Sequence, residues 1–198
     1  MQGTTARRLS GIERRRQLVE LGVEMLSSEP RELVALDRIS EVAGISRGLL
    51  FHYFPTKRDY HVAVVEAACA RLLERTRPDP GLPPADQLRQ SLDGFVEFVR
   101  SNQELYRALI RGAAGADEDL EALFERTRAA IAERVIEHLD AGALTPLVRN
   151  AVRGWIGFVE ESTLDWLRHG DLDQAALVEL QSSALESVLA AAGSTTVR

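Results

Sequence analysis

Residues 43–57 read AGISRGLLFHYFPTK, a stretch holding a glycine turn, a serine, a histidine, three aromatic rings, a proline and the only lysine of the chain. The run Ala43-Gly44-Ile45 separates two short apolar segments, and Gly44 can take the left-handed backbone conformation that a tight turn needs. Upstream, LDRISEV over 36–42 predicts a short helix. Downstream, Ser46 is placed to cap a second one running through Tyr53, which Phe54-Pro55 ends. Two short helices joined by a glycine-containing turn make a helix-turn-helix, whose second helix enters the DNA major groove.

Helices this short do not order alone, so a scaffold must flank them. Residues 12–28 place Ile12, Val19, Val23 and Met25/Leu26 at helical spacing behind Ser10, a capping residue, and Ser27-Ser28-Glu29-Pro30 stops the run. Thr56 caps a longer helix through about Arg75, with Tyr60, Val64, Ala67, Ala68 and Leu72 as its apolar stripe. Ile39, Ala43, Ile45 and Leu50 then close the motif on its core, with small Ser40 at the close approach, and Phe54 is read as core with them. The residues left to meet DNA are Ser46, Arg47, Gly48, Leu49, Phe51, His52, Tyr53 and Lys57. Arg47 is placed to reach a guanine edge, Gly48 lets the backbone come close, and His52, Tyr53 and Lys57 can donate to phosphates. Lys57 also sits in the first turn of its helix, where the N–H groups and dipole attract an anion. Arg14, Arg15 and Arg16 read equally as a solvated helix start or as DNA contacts.

Charge supports this placement. The net charge is −6, but residues 1–76 hold 12 Lys+Arg against 10 Asp+Glu, and residues 77–198 hold 12 against 20. A mildly basic head on an acidic body confines phosphate contacts to one end. With 45% hydrophobic and 27% charged residues in 198, the chain is expected to fold as a globular protein. One cysteine, Cys69, excludes an internal disulfide and is read as a small buried residue. The basic start MQGTTARRLSGIERRR has no apolar signal core and no run approaches a membrane span, so a cytoplasmic protein without membrane contact is expected.

Residues 77–84, RPDPGLPP, carry four of the seven prolines and mark the domain boundary: 1–76 a helix-turn-helix domain, 77–198 a second domain. Beyond them helices are expected at about 85–101, 103–114, 117–141, 146–169 and 172–192, with Gly142, Pro146 and Gly170 as breaks. Period-2 alternation is absent, so the fold class is all-α.

Residues 12–75 resemble the DNA-binding domain of the TetR family of bacterial transcription regulators, through Ile39, Ala43-Gly44-Ile45-Ser46, Gly48, Leu50, Tyr53-Phe54 and Lys57. Ala35, Leu49 and Phe51 stand where that family commonly has hydroxyl-bearing residues, which removes one helix cap and up to two DNA contacts; Leu49 can instead touch a thymine methyl. The resemblance implies an N-terminal three-helix helix-turn-helix domain linked by a long helix to a C-terminal helical ligand-binding and dimerisation domain. It further implies a homodimer on a palindromic double-stranded DNA operator, repressing until a partly apolar small-molecule inducer releases it.

Helix 146–169 carries Val148, Val152, Trp155, Val159 and Trp166 on one stripe and Leu147, Ala151 and Phe158 on another, so it needs cover on two sides. A homodimer interface is expected on Val148, Val152, Val159, Trp166, Leu177, Leu180, Ala184 and Val188, with Gly154 and Gly157 allowing close approach. A ligand pocket is expected among Phe95, Phe98, Val99, Tyr106, Leu109, Phe124, Trp155 and Phe158, with Arg111, His138, Glu160 and Glu161 as polar groups. No Ser/His/Asp order, metal-ligand cluster or phosphate loop is visible, so neither an enzyme nor a cofactor is expected. The alternative is a DNA-binding protein of similar fold with no inducer, structural or chromosome-organising.

Overall fold

The computed structural model describes residues 10–28, 36–107, 117–139 and 144–193. Among them lie α1 (Gly11–Ser28), α2 (Leu36–Val42), α3 (Arg47–Tyr53), α4 (Lys57–Arg75), α5 (Pro84–Ser101), α6 (Glu118–Ile136), α7 (Pro146–His169) and α8 (Gln174–Ala191), with a further helical turn at 103–107. No described residue is in a strand, apart from an isolated bridge at Leu139. None of the described helices is long and apolar enough to cross a membrane.

Local chemistry sets most of the boundaries. Ser10 and Glu13 cap α1 reciprocally, Ser10 N–H donating to Glu13 Oε2 at 2.8 Å and Glu13 N–H to Ser10 Oγ at 3.2 Å. Thr56 and Asp59 form the same box at α4, and Asp117, Thr145 and Asp173 cap α6, α7 and α8. Pro84 and Pro146 occupy first-turn positions, where proline's missing N–H costs nothing. Gly44 at φ 64° makes the turn between α2 and α3, and Gly170 at φ 65° ends α7. The helix expected over 117–141 ends at Ile136: His138 and Leu139 N–H reach back three residues, tightening the chain out of α geometry. Ala35, Leu109 and Arg111 lie outside the described residues.

Buried side chains form one continuous cluster from Leu18 of α1 to Leu189 of α8. The long α4 packs against α1 with its Tyr60 and Val64, and against α6 and α5 nearer its end. Gly94 makes the α4–α5 approach possible, because a Cβ there would collide with the Arg75 carbonyl. α7 and α8 pair through a buried polar knot in which Trp155 Nε1 donates to Gln181 O at 2.7 Å and Gln181 Nε2 to Thr163 Oγ1 at 3.0 Å.

Candidate nucleic-acid interface and ligand cavity

On α3, Leu50 is fully buried and Phe54 follows it into the core, so the opposite face turns outward. Ser46, Arg47, Gly48, Leu49, His52 and Lys57 are exposed, while Phe51 and Tyr53 are half-buried against the core. Ser46 Oγ is taken up by the helix cap, accepting from Leu49 N–H at 3.2 Å. Arg47 is held back toward α2: its Nη1 lies 3.1 Å from Asp37 Oδ1, and its guanidinium sits 5.6 Å from the Phe51 ring centroid. Phe54 is clamped between Arg15 at 4.8 Å and the edge-on ring of Tyr60 at 4.9 Å. One of the three arginines of α1 is therefore packed over the motif's core ring. Tyr60 in turn donates to Leu18 O at 2.8 Å, fixing α4 on α1; burial pushes its hydroxyl well above the ordinary tyrosine range.

α4 runs parallel to α6 and is tied to it at both ends. At the start, Arg58 grips Asp117 with Nε–Oδ2 3.0 Å and Nη2–Oδ1 2.8 Å and also reaches Asp119 at 2.6 Å. The Arg58 guanidinium, bonded to it, holds the Asp117 carboxyl below the usual carboxylate range. At the end, Arg134 Nη1 donates to Leu73 O at 2.7 Å and lies 3.3 Å from Thr76 Oγ1.

Between α4, α5, α6 and α7 lies a cavity of about 100 Å³. Its wall is mostly apolar, with Leu72, Leu88, Leu92, Phe95, Phe124, Ile131, Trp155 and Ile156. Two polar groupings break it. Inside, the Glu160 carboxylate is buried and takes two hydrogen bonds from Arg128, one of them Nε–Oε1 at 2.9 Å, with Arg128 also stacked on Phe124 at 4.8 Å. The Tyr106 hydroxyl, buried beside this pair, makes no hydrogen bond of good geometry among the described residues, and its nearest polar neighbour is the Glu160 carboxylate. Burial, then the nearby Glu160 charge, pushes that hydroxyl well above its ordinary range. Toward the connector stand Arg134, Gln87 and His138, whose ring nitrogens face Arg134 O at 2.7 Å and Gln87 Oε1 at 3.1 Å.

The cavity gathers Phe95, Tyr106, Phe124 and Trp155 of the expected lining, with His138 and Glu160 of the expected polar groups. Phe98 and Val99 are buried in the core away from it. Phe158 is 39% exposed on the outer face of α7, and Glu161 is exposed and paired with Arg168 at 3.5 Å. Sequence reasoning missed Arg128 and Arg134, since charged residues on a helix ordinarily face water. A signal existed: Phe124, Arg128, Ile131, Val135 and His138 repeat at helical spacing, so the arginine interrupts an otherwise inward stripe.

The expected interface is corrected in the same way. Val148, Val152, Val159 and Leu177 are buried inside the chain and cannot meet a partner. The two apolar stripes of α7 exchange roles: the valines pack inward, and Leu147 (59% exposed), Ala151, Gly154 and Phe158 form the open one. On α8, Leu180 (52% exposed) and half-buried Ala184 and Val188 continue that face, while Trp166 is half-buried with its Nε1 on Leu172 O at 2.7 Å. Leu147, Ala151, Gly154, Phe158, Ala184 and Val188 line a shallow groove between the two helices.

The family model described as tetracyclin repressor-like, C-terminal domain matches residues 84–186, just over half of the chain. The HTH-type transcriptional activator FasR of Mycolicibacterium smegmatis is 23% identical over 181 residues, covering 87% of this chain and 81% of that protein. A crystal structure of a TetR-family transcriptional regulator from Streptomyces coelicolor superposes with a TM-score of 0.80 at 28% identity, over 93% of this chain and 82% of that one. FadR from Bacillus subtilis, solved in complex with stearoyl-CoA, shares the fold with a TM-score of 0.62 at 16% identity over 88% of this chain and 97% of its own. Helix-turn-helix, all-helical body and these matches agree, and the chain belongs to the tetracyclin repressor-like family of DNA-binding transcription regulators.

Proposed function

We propose that residues 1–76 read a palindromic operator, that residues 77–198 dimerise the chain and hold an effector, and that effector binding releases the DNA. The observation that carries this reading is the division of α4: its first turn presents Lys57 beside the outward face of α3, and its last turn walls the cavity through Leu72 and Thr76. Arg47, once released from Asp37, reads a base edge, and Leu49 touches a thymine methyl. Lys57 and His52 contact phosphates from the start of α4 and the end of α3. Phe51 and Tyr53 give part of each ring to the core and support these contacts from behind.

The second copy of the chain covers the open face of α7 and α8, where Leu147, Phe158 and Leu180 stand in water and Gly154 offers close helix approach. Two-fold pairing of those helices buries the apolar stripe and sets two α3 helices on one operator. The effector is small, because about 100 Å³ lies well below the ~300–1,000 Å³ of ordinary drug-sized pockets. Selection of bound sites from random DNA, followed by gel shift, tests the reading. A palindrome bound ~10³-fold or more over random sequence by an even number of chains supports it. Uniform binding to all sequences would instead favour a chromosome-organising protein.

A further inference from the structure

The two polar groupings of the cavity differ in what charge they can accept. Inside, Glu160 is neutralised by Arg128, and a second anion placed there would meet the buried carboxylate. Toward the connector the balance is reversed. Arg134 lines the cavity, and among the described residues no carboxylate pairs with it and only its Nη1 is engaged, on Leu73 O and Thr76 Oγ1. Nε and Nη2 are left for a planar, bidentate acceptor. The Tyr106 hydroxyl at the inner end stands beside the Glu160 carboxylate, so that end favours a neutral group over a second anion.

We propose that the effector is a small apolar carboxylate, and that Arg134 takes its carboxylate through Nε and Nη2 while the apolar body lies against Phe95, Phe124 and Trp155. This rests on the effector reading above and names its chemistry. Drawing the guanidinium toward the cavity removes Nη1 from Leu73 O and Thr76, which unties the C-terminal end of α4 from α6. The Arg58 grip on Asp117 and Asp119 remains as the pivot at the other end. Ligand charge is thereby converted into freedom of the helix that carries Lys57.

The test uses the full chain with Trp166→Phe, so that Trp155 alone reports on the cavity by fluorescence. Benzoate, phenylacetate and hexanoate are titrated beside their neutral amides, and operator release is followed by gel shift with each. At least one carboxylate is expected to bind about tenfold or more tighter than its amide, as for a hydrogen bond to a charged group. Arg134→Lys, a charge without the fork, keeps only part of that preference; Arg134→Gln loses it and, lacking the tie to Leu73 O and Thr76, already holds the operator more weakly with no acid present. Equal binding of acid and amide, or a preference that survives Arg134→Gln, overturns the assignment while leaving the effector cavity standing. If no acid or amide alters Trp155 emission or operator affinity, the cavity reading falls and the inference with it.

Discussion

Arg47 and Asp37 hold each other at 3.1 Å on the outer surface of the helix-turn-helix, and a base edge has to compete with that carboxylate. Exposed pairs of this kind contribute only ~0–1 kcal/mol. Asp37→Asn should therefore tighten operator binding by about two- to fivefold, and a loss of affinity would show that Asp37 positions the arginine instead. Arg47→Ala should cost ~1–3 kcal/mol at one base position and little at the others, measured on a set of single-base operator variants. Lys57→Ala should weaken every sequence alike and lower the salt slope by about one, as one lost phosphate contact requires.

Two helix starts were legible in the sequence because a capping side chain makes them, while the start expected at 172 falls before Asp173, which caps α8. Ser46 and Thr56 place α3 and α4 to the residue, because each cap is a local hydrogen bond that needs no tertiary knowledge. The faces of α7 were not legible. A helix apolar on two sides carries the same pattern whichever side turns inward, and the choice of Val148 and Val152 over Leu147 and Phe158 is made by packing against α6 and α8. The same limit hid Arg128 and Arg134, whose partners lie 32 and 61 residues away in sequence. Element contacts also give two stability predictions. Gly94→Ala drives a methyl into the Arg75 carbonyl and should cost about 1–3 kcal/mol in thermal unfolding, since backbone there cannot step aside as a side chain would. Asp117→Asn keeps the α6 cap but removes the charge that Arg58 holds. The carboxyl is lowered in the folded chain, so its contribution is present above the ordinary aspartate range and disappears as pH falls through it. Acid unfolding of the native chain should thus be steeper below about pH 4 than that of Asp117→Asn, and superimposable acid limbs would remove the tie from the stability of the fold.

For the molecule as a whole, the proposed pairing on the open α7–α8 face sets how two operator-reading heads would be presented. Gly154 separates folding from assembly: beyond its own helix backbone and chain neighbours, no described atom lies within 4 Å of a Cβ built there, so Gly154→Ala meets no obstacle among the described residues. On helix propensity alone it should raise monomer stability by up to ~1 kcal/mol. Across a two-fold pair the same methyl stands between helices that approach at the glycine, so the dimer should weaken. Leu180→Glu places a charge on the 52% exposed part of the face and should dissociate the dimer outright without unfolding the chain. Sedimentation velocity and helical circular dichroism read the two effects separately. A folded Leu180→Glu monomer that has lost most of its operator affinity fits a partner seated on this face. A variant that stays dimeric moves the interface elsewhere, and then the groove beside Phe158 must serve some other contact.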